Sequence, residues 1–235
     1  MSAEITNMPY NPKEYEDFIE DWKKKSGYED ESNNKHFCYD GPIDDNKWQE
    51  SLSRIMFLLK ESYSDFYRIR KNPCHGDMPD FSASARRFWR NMRMSTYIID
   101  EVLINGNIPS FADTEKNQNK DNDSIAYVNL KKCVEKGKTR SNTSDIKKYV
   151  YRDNKKLLEQ IDLIKPRIIV CSGTFKYCYD LYDNLKKTAH KKLYLYEKEN
   201  IYFIDFWHLS YWIKSPKARY NELRDIMKEY QNNKN

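Results

Sequence analysis

Three side chains in this sequence have the types and the placement to do chemistry together: the carboxylate of Glu61 in FLLKESYSD, the amide of Asn129 in IAYVNL and the imidazole of His208 in WHLSYW. Each lies in or just after a short apolar run. Residues 54–59 (RIMFLL), 125–130 (IAYVNL), 167–173 (RIIVCSG) and 201–206 (IYFIDF) read as strands buried on both faces of a parallel sheet. Ligands of open parallel sheets bind outside the carboxyl ends of the strands. Runs that end in KESY, NLKKC, SGT and WHLSYW therefore bring acid, amide and imidazole toward one edge. A carboxylate, an imidazole and an amide with a fixed donor and acceptor form an acid-base and recognition set. Singly, each also has a structural use: Glu61 as a capping or ion-paired carboxylate, Asn129 as a turn residue, His208 as a buried, hydrogen-bonded histidine. Their coincidence at strand ends is what favours chemistry.

The elements that must position them alternate between strand and helix, which predicts a three-layer α/β/α sandwich around a four-stranded parallel sheet. Tyr15, Phe18, Ile19 and Trp22 are spaced as the apolar stripe of an amphipathic helix. The Asp-Gly-Pro of residues 40–42 reads as a turn into the core. Residues 82–105 form the longest helical candidate, with Phe88, Met92, Ser95 and Ile99 on one stripe and Arg86, Arg87, Arg90 and Arg93 on its other sides. Residues 106–124 are polar and predict a long loop. A basic loop, KKCVEKGKTRSNTSD, follows the second strand, and Asp145 is placed to cap a helix running to Ile164. TFKYCYDLYDNLKK and the segment from Pro216 to about Gln231 are the remaining helices.

A chain of 235 residues suits one domain, here 1–235 with residues 1–40 as a helix and acidic linker packed on the core. Nineteen tyrosines and five tryptophans supply large apolar area with polar tips, which excludes a disordered composition. Residues 1–50 hold 6 lysines and 13 acids, a balance of −7, so residues 51–235 carry +12 to reach the total of +5. A basic body suits a polyanionic partner. No apolar stretch reaches the roughly 18 residues of a membrane span, and the acidic start is unlike a signal peptide, so the expectation is a cytoplasmic protein away from membranes, and a monomer. Five cysteines without a CxxC pair fit reduced thiols. His36, Cys38, Cys74 and His75 have zinc-ligand chemistry but no zinc-site spacing, so no metal or other cofactor is expected.

The arrangement resembles the uracil-DNA glycosylase superfamily. Leu59-Lys60-Glu61-Ser62-Tyr63-Ser64 lies over that superfamily's GQDPYH motif, His208-Leu209-Ser210 over its HPS motif, and Asn129 over its base-reading asparagine. Ser62 and Leu209 stand where prolines are usual and Ser64 where a histidine is. The layout from residue 40 to 227 further resembles a bacterial group of the superfamily with an LKE-type first motif.

The resemblance implies a monofunctional DNA glycosylase that hydrolyses the N-glycosidic bond of a flipped-out base and leaves an abasic site. Glu61 would orient water and stabilise the cationic sugar, His208 would donate to the departing base, and Asn129 would read its edge. Tyr63 would crowd the pyrimidine C5 position and Phe81 would stack on the base. Ser210, Tyr211 and Trp212 fall where relatives touch DNA, the last two as an apolar wedge. Lys60, and Lys131 and Lys132 with Lys136, Lys138 and Arg140, are placed for phosphate. The base is uracil, a deaminated base or a phage-type modified base, so the role is DNA repair or defence against phage. Two other readings remain: a non-catalytic nucleic-acid-binding module on the same fold, and an N-glycosidase acting on free nucleosides or nucleotides.

Overall fold

A computed structural model describes residues 10–30, 32, 35–62, 83–118, 123–135 and 141–233. Tyr63, Phe81, Lys136, Lys138, Arg140, Cys74 and His75 lie outside the described residues.

The chain opens with helix α1 (Pro12–Ser26), capped by the Asn11 side chain and ended by Gly27 at a φ of 67°, a left-handed value that glycine adopts without cost. Strands β1 (Lys35–Phe37) and β2 (Gly41–Pro42) and the short helix α2 (Asp45–Glu50) lead into β3 (Ile55–Glu61). The long helix α3 (Ala83–Asn105) and α4 (Phe111–Asn117) precede β4 (Ala126–Lys131) and β5 (Cys133–Glu135). Helix α5 (Thr143–Ile164) then leads to β6 (Ile168–Ser172), a 3-10 turn (Phe175–Tyr177) and the single turn α6 (Cys178–Leu181). Strands β7 (Lys186–Lys187), β8 (Leu193–Tyr196) and β9 (Ile201–Phe206) and helix α7 (Pro216–Asn232) complete the chain.

The main sheet is mixed and has seven strands in the order β2-β4-β3-β6-β9-β8-β7. This corrects the expected four-stranded parallel sheet: β4, β3, β6 and β9 do run parallel to one another, but β2 joins one edge and β8 with β7 the other, all antiparallel. The extra strands are short or half-exposed, so they lack the continuous apolar run that marks a central strand. The polar segment expected to be one long loop contains α4, capped by Ser110. The helix expected from residue 174 onward is only a 3-10 turn and one helical turn, and Asn142, not Asp145, caps α5.

Alternate residues of the central strands enter two cores. Met56 and Leu58 pack with Phe18, Ile19 and Trp22 of α1 and with Val150 and Leu157 of α5. Ile55, Phe57 and Leu59 pack on the opposite face with Met92 and Ile99 of α3 and Leu223 and Ile226 of α7. Helices therefore cover both faces of the sheet. None of the described helices is long and apolar enough to cross a membrane.

Candidate functional site

The chain leaves β3 for β4 on one side and returns to β6 on the other, so the strand order reverses at β3. Parallel connections diverge at such a point and leave a crevice beyond the carboxyl ends of the strands. The residues delivered there are Lys60 and Glu61 from β3, Gly173 and Thr174 after β6, and the segment Trp207–Tyr211 after β9. Gly173 has a φ of 68°, and a Cβ on it would lie 3.4 Å from the His208 Cβ. Its N–H donates to the Phe206 carbonyl at 2.8 Å. The Ser172 hydroxyl accepts from the Leu209 N–H at 3.1 Å, while the Thr174 hydroxyl donates to the Leu58 carbonyl at 2.8 Å. The three strand ends are thus tied to one another.

The Glu61 side chain is 5% exposed and lies 3.4 Å from the Lys131 ammonium. Lys131 also binds Asp145 at 2.7 Å and sits over the Tyr149 ring at 4.8 Å. The Asp145-Lys131-Glu61 chain fixes the position of the Glu61 carboxylate from a helix on the far side of the strand pair. Lys60 is half-buried, and that burial, with the Lys176 charge, holds its ammonium below the usual lysine range, while Glu61 pulls the other way.

Asn129 is buried beside β3, in register with Leu59. Its backbone N–H and its Nδ2 donate to one oxygen of Asp40 at 2.6 and 3.1 Å, and Nδ2 also meets Cys38 Sγ at 3.4 Å. A carboxylate accepts only, so Asp40 dictates which end of the amide faces it. Asn129 Oδ1 is left buried without a hydrogen-bond partner, and the Ser62 hydroxyl at the end of β3 is in the same state. The other Asp40 oxygen takes Lys132 at 2.5 Å and Gln160 at 2.9 Å, and the Asp40 carbonyl accepts from the Tyr15 hydroxyl. Burial, then the neighbouring Asp40 charge, raises the Cys38 thiol well above its ordinary range, which keeps it protonated.

His208 accepts at Nδ1 from the Ser210 backbone N–H at 3.3 Å, and the Ser210 hydroxyl lies 2.8 Å from the same atom. A backbone N–H can only donate, so Nδ1 is the bare nitrogen and the proton of the neutral ring resides on Nε2. Burial, followed by the charges of Lys60 and Arg219, lowers the imidazole from 6.5 to about 4. His208 is therefore a neutral donor through Nε2. The four carbonyls from His208 to Tyr211 all have partners. Tyr211 N–H and Arg219 reach the first, Asn91 the second at 2.6 Å, Arg87 the third at 3.1 Å, and Arg219 the fourth. Phe88 of α3 packs 6.3 Å from the imidazole and Tyr211 stacks on Trp207 at 5.4 Å. Trp212, beyond this tethered segment, is 73% exposed.

The parallel strands bring Lys60 and Glu61 at the end of β3 and His208 after β9 to one edge of the sheet, where the Lys60 charge bears on the imidazole. Among the described residues no hydrogen bond or ion pair joins Glu61, Asn129 and His208 to one another. Ser210 serves the His208 ring, Tyr211 is half-buried against Trp207, and Trp212 is at the surface. Lys131 and Lys132 correct the sequence reading: Lys131 ends β4, both side chains are fully buried, and both are paired with acids, so neither stands on a phosphate-binding loop. Two adjacent lysines look like solvated loop in sequence. Their counter-charges, Asp145 and Asp40, lie 14 and 92 residues away. Sequence reading also missed Asp40, hidden in a turn motif, and Asn91, whose only signal was an amide within the apolar stripe of α3. Among the described residues no group of His, Cys, Asp or Glu is arranged to hold a metal ion.

No family model matches the chain, and neither the curated proteins nor the solved structures compared with it give a match.

Proposed function

We propose that the protein is a DNA glycosylase that hydrolyses the N-glycosidic bond of a base turned out of the duplex. The observation that carries this reading is the set of groups at the reversal point of the parallel strands. A tethered carboxylate (Glu61) and a neutral imidazole with its proton on Nε2 (His208) come from the ends of two parallel strands, and a buried, unpaired amide oxygen (Asn129) from within β4, in register with Leu59. Strand order in the parallel part of the sheet, β4-β3-β6-β9, and the resemblance of the motifs around Glu61 and His208 to the uracil-DNA glycosylase superfamily support the same reading.

The chemistry follows from the charges. Breaking the bond from C1′ to the base nitrogen sends the electron pair to the base and leaves positive charge on the sugar. Water then forms the new bond at C1′, and the proton it gives up ends on the departed base anion, which leaves as the neutral base. Glu61 orients that water and faces the sugar cation, while His208 Nε2–H donates to the oxygen that gains negative charge on the base. Asn129 Oδ1 accepts an N–H from the base edge, which an imide such as uracil offers. The products are free base and an abasic deoxyribose.

The test is incubation of the protein with duplex and single-stranded DNAs carrying uracil, hypoxanthine, oxidised or phage-type modified bases, followed by alkaline cleavage at abasic sites. Wild-type protein is expected to release one class of base, and Glu61→Gln to bind the same DNA with release reduced about 10²–10⁴-fold, the size of a missing acid-base group. Wild-type-like release by Glu61→Gln would overturn the role of Glu61. A non-catalytic nucleic-acid-binding module is the second reading, favoured by one observation: Glu61 and the Asn129 amide both already have structural partners, Lys131 and Asp40. It predicts DNA binding with no base released from any substrate in the panel.

A further inference from the structure

Arg87 and Arg90 of α3 have no part in the reaction just described, yet Arg87 is bonded to the segment that carries His208 and both charges act on Arg219, which also holds it. Arg87 donates through Nε to the Ser210 carbonyl at 3.1 Å. That bond uses the side of the guanidinium and leaves its two terminal amino groups without a partner among the described residues. Arg90, one turn further along α3, is exposed and likewise has no acid paired with it among the described residues. Arg219 lies behind them, fully buried, with its amino groups on the His208 and Tyr211 carbonyls. The positive charges of Arg87 and Arg90 bear on Arg219, and the carboxylate opposing them is Glu222. Glu222 is itself held by Lys192 and by Lys214 at 2.7 Å. Two ammoniums thus bind one carboxylate, Glu222, whose charge also acts on Arg219, and the exposed Trp212 directly follows the segment that Arg87 and Arg219 tether.

We propose that Arg87 and Arg90, on the helix bonded to the segment that leads to the exposed Trp212, form a surface that grips the phosphate backbone of nucleic acid next to the crevice. The guanidinium fork matches two phosphate oxygens at once. Holding Arg87 by Nε against a carbonyl that is itself part of the His208 segment fixes the direction of that fork without consuming it. An exposed indole offers a stacking face for a base or an unstacked step, which a bare phosphate or a lipid headgroup would not use. The +12 balance of residues 51–235 favours a polyanion over a single anion. The inference rests on the glycosylase reading only in taking DNA as the polymer.

Fluorescence anisotropy of an undamaged labelled duplex across a salt series tests it. Removing one cation from the phosphate backbone should flatten the slope of log affinity against log salt by about 0.9, so Arg87→Gln with Arg90→Gln should flatten it by nearly 2. The same charge change on α1, Lys24→Gln with Lys25→Gln, should leave the slope as it is. Arg87→Lys with Arg90→Lys should keep the slope while weakening binding, because the charge remains and the fork does not. Wild-type binding with an unchanged slope in the Gln pair overturns this surface alone. Wild type that fails to bind the duplex at all, or that binds phosphatidylserine vesicles in its place, overturns both the surface and the DNA reading. A flattened slope with no base release from any DNA supports the surface and removes only the catalytic reading.

Discussion

The His208 ring gives a pH dependence with a definite sign. Its folded value of about 4 lies below the ordinary 6.5. Above 6.5 the ring is neutral in both the folded and unfolded chain, and no stability is at stake. As pH falls from 6.5 to 4 the unfolded chain takes up a proton that the folded chain refuses, so stability declines through that window and levels off below it. The decline amounts to roughly 3 kcal/mol in total. His208→Gln should flatten that part of a denaturation-against-pH curve, and an equally steep curve in the variant would show that the ring is not the group responsible. Base release should also lack any rise as pH drops through 6.5, since a neutral Nε2–H donor does not need protonation. A rate that climbs there would assign the work to an imidazolium.

Among the elements, Asp40 matters more than its place in a two-residue strand's approach suggests. One carboxylate holds the backbone and amide of β4, the ammonium of Lys132 and the Gln160 amide of α5. Asp40→Asn removes the charge but not the shape, leaving Lys132 buried and uncompensated. The expected cost is about 3–5 kcal/mol in chemical denaturation. Adding Lys132→Met should restore most of it, because the buried charge then disappears with its partner. If the double variant is no better than Asp40→Asn, the damage lies in Asn129 and Gln160. The apolar strands around this network were legible because four or more consecutive apolar residues have few alternatives to a buried strand. The network was not, since its members, Tyr15, Asp40, Asn129, Lys132 and Gln160, are separated by up to 145 residues, and each has an ordinary surface role in sequence.

The whole molecule depends on its acidic start as much as on its basic body. Tyr15, Phe18, Ile19 and Trp22 of α1 belong to the same core as Met56 and Leu58 of β3, and Trp22 meets Phe37 edge-on at 5.7 Å and the Lys132 ammonium at 5.4 Å. Four large buried side chains at about 2–5 kcal/mol each match or exceed the total stability of an ordinary domain. Deletion of residues 1–27 should therefore abolish the cooperative thermal transition seen by near-ultraviolet circular dichroism, and a retained sharp transition would make α1 an appendage. Periodicity and chain order are local properties, and they were enough to establish the alternation of strand and helix, the apolar stripe of α1, and the delivery of Glu61 and His208 to strand ends. Which charges are buried and which face outward emerged only from the packed chain. Lys131 and Lys132 are neutralised by Asp145 and Asp40, whereas Arg87 and Arg90 of α3 form no ion pair among the described residues, and Arg87 is bonded to the Ser210 carbonyl. The energy of a charge is set by what surrounds it in space, and residues far apart in the chain supply those surroundings.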